Sequence, residues 1–136
     1  MENELIDKYY FNYNASLRIF GENLDFQKFS DILNLKPSHA HKKGEKYSGN
    51  KSHEIDMWIY ESSLNKNESI DKHIDYLWNN LYDKVDILNS LKQNYRVDIF
   101  LGFRTNCETA GLKIPYQSLK LFNALQIPFE ISIIVV

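Results

Sequence analysis

A single amphipathic stripe sets the terms for this chain. Between residues 70 and 93, Ile70, Ile74, Leu77, Leu81, Val85, Leu88 and Leu91 recur at intervals of three and four, the spacing that lines one face of a long α-helix. A helix that is apolar along one stripe has to lay that stripe against another layer. The rest of the chain offers strands for that layer. Phe11, Tyr13, Ala15, Leu17 and Ile19 alternate with Asn12, Asn14, Ser16 and Arg18, the period of two of a half-buried strand. Residues 55–61 alternate in the same way. So do residues 95–104, where Tyr95, Val97, Ile99, Leu101 and Phe103 oppose Arg96, Asp98 and Arg104.

Local signals punctuate these elements. Asp25 is a suitable N-cap for a short helix carrying Phe26, Phe29, Ile32 and Leu33, which ends at Leu35-Lys36-Pro37 because a residue before proline is pushed out of the α region. Residues 38–54 are polar and read as a long excursion with a short strand near 45–48 and a turn at Ser48-Gly49-Asn50. After a turn over 105–111 and a brief pairing segment at 112–114, Pro115 opens a third helix with Leu119, Phe122 and Leu125 inward. Residues 129–136 form a closing strand. The expected fold is α+β: a mainly antiparallel sheet of five or six strands with three helices, the long central one packed on one face. A chain of 136 residues corresponds to one domain, 1–136.

Composition narrows the function classes. A net charge of −2 gives no overall footprint of a nucleic-acid binder, so a nucleic-acid partner is not expected. Cys107 is the only cysteine, the first residues are acidic without an apolar leader, and no apolar run approaches the length of a membrane span. The expectation is a cytoplasmic protein without membrane attachment. No nucleophile elbow, zincin motif, phosphate loop or dinucleotide fingerprint is present. Cys107 stands beside Glu108, which disfavours a thiolate. No catalytic residue and no cofactor is therefore assigned.

Two surfaces remain as candidates. Residues 36–53 hold five of the sixteen basic residues and three of the four histidines, opposed only by Glu45. His41, Lys42, Lys43 and Lys46 at its centre suit an anion; a solvated loop that protects a sheet edge is the plainer reading. His39 and His41 share a face if extended, but no zinc spacing completes them, so no metal is assigned. The second surface is the sheet face away from the helices. If the helices cover Leu17, Ile59 and Ile99, then Arg18, Phe20, Trp58, Tyr60, Phe100 and Arg104 lie opposite. Aromatics with arginines serve RNA stacking and protein interfaces alike; a second small core, roofed by the excursion or the N-terminus, is the plainer reading. The closing strand is apolar on both faces, which suits a central strand or an edge buried in a homodimer.

Several short motifs occur together in order: Leu17-Arg18-Ile19-Phe20-Gly21, Leu24-Asp25-Phe26, Leu35-Lys36-Pro37-Ser38, His41-Lys42-Lys43-Gly44-Glu45, Trp58 with Glu61-Ser62, and residues 69–73. In these the chain resembles an uncharacterised bacterial family catalogued as domain of unknown function 4279. The resemblance implies the architecture and carries over no site residues. The functional expectation is a non-catalytic protein-interaction module, immunity-type or regulatory, with a protein partner. The alternative is anion, small-ligand or nucleic-acid binding through residues 36–53.

Overall fold

The computed structural model describes residues 9–136. Strand β1 (Phe11–Gly21) is the axis of the fold. It is followed by helix α1 (Phe26–Leu33), the short strands β2 (His39–His41), β3 (Lys46–Ser48) and β4 (Lys51–Ser52), and then β5 (Asp56–Glu61). Helices α2 (Ile70–Leu81) and α3 (Val85–Leu91), strand β6 (Arg96–Thr105), helix α4 (Lys120–Leu125) and strand β7 (Phe129–Val135) complete the chain. Five strands form one sheet in the order β2-β5-β1-β6-β7, while β3 and β4 make a separate hairpin. The architecture is α+β, with the helical layer packed on one face of a mostly antiparallel sheet.

The local signals operate as read. The Asp25 carboxylate accepts the Lys28 N–H at 3.1 Å and starts α1. Asn34 closes it in the left-handed region at φ 51°, a conformation asparagine tolerates. Gly49 turns the β3–β4 hairpin at φ 55°. The stripe from Ile70 to Leu91 is buried except at the half-buried Val85, but its helix is not continuous: a 3-10 turn at Tyr82–Lys84 separates α2 from α3. No strand forms over 112–114; Leu112 and Ile114 instead pack against the core. A 3-10 turn at Tyr116–Leu119 leads into α4.

One sheet face was misassigned by alternation alone. Ile19 lies opposite Trp58 and Leu17 opposite Tyr60, so Trp58 and Tyr60 stand on the helical side with Leu17 and Ile19. Ile59 lies opposite Arg18 on the other side. Residues 55–61 carry large side chains on both faces, and a slip of one residue exchanges them. Packing decides the phase. Trp58 is fully buried, edge-on to Phe29 at 6.5 Å, and its indole N–H reaches Ser30 Oγ at 3.3 Å. A tryptophan fills the gap under α1 and gains a partner for its N–H.

The last strand supplies the other departure from simple antiparallel order. β7 runs parallel to β6, with Ile99 level with Phe129 and Thr105 with Val135. The return needs a crossover, and α4 provides it. Among the described residues β7 is thus an edge strand.

Candidate functional site

The open face of the sheet carries an ionic cluster centred on Arg18. Arg18 projects from β1 and Asp98 faces it directly on β6. The guanidinium donates from Nε to Asp98 Oδ1 at 2.8 Å and from Nη2 to Asp98 Oδ2 at 2.6 Å, a two-point pair. Nη2 also donates to Glu130 Oε2 on β7 at 2.8 Å. Phe100 and Phe20 flank the same guanidinium at 4.8 and 5.6 Å, and Arg96 covers Phe20 at 4.4 Å. The hydrogen bonds to Asp98, followed by that to Glu130, hold the Arg18 pKa above its ordinary value against burial. One arginine therefore ties three strands together, and Asp98, with 9% of its side chain exposed, depends on it.

Beside this cluster lies a shallow groove of about 420 Å³, floored by Gly102 and Phe100 and walled by Asn14, Lys66, Arg104 and Ser132. Asn14 donates to Glu61 Oε1 at 2.9 Å, and its carbonyl oxygen sits over Gly102. A Cβ at residue 102 would come within 2.3 Å of that oxygen, so any larger residue here would have to push the Asn14 amide aside. No residue of the 38–54 excursion lines this groove. The N-terminal part of the roof envisaged for this face falls in residues 1–8, outside the described residues.

The excursion is built around a different acid. Asp56, 6% exposed, accepts the Lys43 N–H at 2.7 Å and the Leu24 N–H at 3.1 Å. The Lys42 ammonium lies 3.3 Å from the same carboxylate, donates to the Leu24 carbonyl, and rests 4.3 Å from the Phe26 ring centre. These hydrogen bonds, that of the Lys43 N–H foremost, hold the Asp56 pKa below its usual value. Lys42 is thus part of the fold's internal wiring rather than a free cation. His41 stacks on His53 with ring centres 3.4 Å apart, and burial, then the neighbouring imidazole, push its pKa down. Lys43 and Lys46 are exposed.

The residues singled out from sequence do not converge on one site. Arg18 and Arg104 share the open face; His41, Lys42, Lys43 and Lys46 sit at or beyond its far edge; Trp58 is buried under α1. Tyr60 is on the helical side, where burial and a hydrogen bond with Tyr76 push its pKa up to about 12. Among the described residues, no cluster of three or more His, Cys, Asp or Glu is placed to hold a metal ion, and no helix is long and apolar enough to cross a membrane.

A different surface stands out: the outer edge of β7. Phe129, Ile131, Ile133, Ile134, Val135 and Val136 are 43–59% exposed. The strand's single charge, Glu130, is engaged by Arg18. The apolar run was legible in sequence, but Glu130's role was not, because it depends on the register of β7 against β6.

The family assignment rests on nearly the whole of this fold. The chain belongs to the family described as Domain of unknown function (DUF4279), whose model matches residues 10–136. No curated protein and no solved structure matches the chain. Within the match lie both the Arg18–Asp98–Glu130 cluster and the β7 edge. His73, in the stretch that carried the sequence resemblance, is fully buried, with Nδ1 2.8 Å from Ser62 Oγ. Burial pushes its pKa down, which is the behaviour of a neutral core histidine.

Proposed function

We propose that this domain is a non-catalytic protein-interaction module that docks through the outer edge of β7. The observation that carries this reading is the row of exposed aliphatic side chains on an edge strand of seven residues. Such an edge offers unpaired backbone groups and an apolar surface at once, which is the requirement for strand addition by another polypeptide. The domain acts by occupying its partner, as a regulatory or immunity-type protein would.

The alternative, anion binding through residues 36–53, draws less support, because Lys42 is committed to Asp56. The two readings separate in a capture experiment with the immobilised domain. Ile133→Lys should abolish retention of the partner, while the pair Lys43→Ala and Lys46→Ala should leave it unchanged. The reverse pattern, with binding that weakens steeply in salt, would move the site to the excursion.

A further inference from the structure

We infer that the occupant of the β7 edge is a second copy of this chain, paired antiparallel about a two-fold axis at Ser132. This rests on the β7 edge being the contact surface.

The backbone defines which groups are free. The Pro128 carbonyl accepts from Ile99 N–H and the Val136 N–H donates to the Thr105 carbonyl, so even-numbered residues of β7 face β6. Backbone groups alternate along a strand; Phe129, Ile131, Ile133 and Val135 therefore turn their N–H and C=O outward. Among the described residues no strand pairs with them. An axis at Ser132 sets Phe129 against the partner's Val135 and Ile131 against the partner's Ile133. Every outward residue of the strand then meets another outward residue. An axis at Ile131 or Ile133 leaves an end of the strand without a partner.

Side chains match under the same register. The helical side places aliphatic and aromatic groups opposite one another, Ile131 on Ile133 and Phe129 on Val135. On the open side Glu130 faces the partner's Ile134, which keeps the two Glu130 carboxylates about 13 Å apart along the strand, beyond the screening length of about 8 Å at physiological salt. Arg104 supplies the complement. It lies level with Ile134 on the open face, is exposed, and has no ion pair among the described residues. In the dimer it comes two strand spacings, about 10 Å between Cα atoms, from the partner's Glu130, within reach of two long side chains. Six side chains about half exposed present roughly 500 Å² per chain, so pairing covers at most about 1,000 Å² in total, the size of a weak, reversible interface.

Sedimentation velocity of the full chain over a range of concentrations tests the inference. A monomer–dimer equilibrium is expected. Ile133→Lys should remove the dimer while circular dichroism stays unchanged, since Ile133 is 59% exposed and its replacement leaves the core intact. Arg104→Glu should weaken association by roughly three- to tenfold. In a Cys107→Ser background, Ser132→Cys should oxidise rapidly to a disulfide-linked dimer, because directly opposed non-hydrogen-bonded positions have Cα atoms about 4.5 Å apart; Gln27→Cys, on exposed α1, should not.

A dimer that survives Ile133→Lys, or that Ser132→Cys fails to link, would overturn the inference. A chain that is monomeric throughout, yet loses capture of a different protein on Ile133→Lys, would remove the second copy and leave the interaction reading standing. A monomer whose Ile131 and Ile133 amides already exchange slowly would show an edge covered within its own chain, and both readings would fall.

Discussion

The two edges of this sheet are built in opposite ways. At one, β2 is three residues long, exposed, and followed by Lys42, Lys43 and a side hairpin anchored on Asp56. Shortness and neighbouring charge are devices that stop an edge from recruiting another strand. At the other, β7 is seven residues long, carries only Glu130 as a charge, and has that charge neutralised by Arg18. On the reading proposed above, a sheet that protects one edge and leaves the other apolar directs association to the β7 side. The lysine-rich excursion, the most conspicuous feature of the composition, belongs to the protected edge.

That contrast can be broken in graded steps. The largest effect is expected from Asp56→Ala, which leaves the Leu24 and Lys43 N–H groups without their acceptor and the Lys42 ammonium without its counter-ion. A loss of about 3 kcal/mol in a denaturant titration is expected, from unsatisfied buried donors, with the β2 edge loosened and the β7 edge unaffected. Arg18→Ala comes next: it leaves the Asp98 carboxylate without its partner and frees Glu130, for a loss of about 2 kcal/mol, the scale of hydrogen bonds to a charged group. It should also speed amide exchange along β7, because Arg18 is the cross-strand tie to that strand.

Surface charge sharpens the comparison with little change in stability. Ala40→Lys on β2 should leave both stability, within about 0.5 kcal/mol, and sedimentation unchanged. Ile133→Lys should be equally mild in stability but should abolish association. Equal effects of the two substitutions on association would erase the distinction between the edges.

The smallest effect concerns pH. His41 has its pKa pushed down in the folded protein, so the unfolded chain binds the proton first as pH falls. Stability is therefore lost as pH falls from the ordinary histidine value near 6.5 toward the lower folded values; the part due to His41 should localise to the stacked His41 and His53 rings, and buried His73, whose pKa is also pushed down, adds to the loss in the same window. Exchange at the Gly44 and His53 amides, which bond to the His53 and Glu45 carbonyls, should quicken there. His53→Gln should reduce the His41 part of the response and leave the His73 part in place. Asp56 adds a second step: its pKa is lowered on folding, so its contribution is present above the ordinary carboxylate value near 4 and is lost as pH falls through the folded one.

Much of the fold was readable because its causes are local. The 3.6-residue stripe from Ile70 to Leu91, the period of two in β1 and β6, the Asp25 cap and the glycine turn at 49 each depend on neighbours a few residues away. Where two local answers were equally good, the reading failed. Residues 55–61 carry bulk on both faces, and only the gap beneath Phe29 selects Trp58 over Ile59 for the interior. The candidate site was less legible still. Lys42 and Lys43 look alike in sequence; one reaches Asp56 with its side chain and the other with its backbone.

From its sequence alone this chain was committed to strands and one-sided helices and to an apolar final strand. Tertiary structure decided that the final strand is an edge, that it runs parallel to β6, and that Arg18 reaches Glu130 across it. The reason is physical: periodicity records which face of an element is buried, whereas strand order and register follow from the summed pairing and packing of segments far apart in the chain.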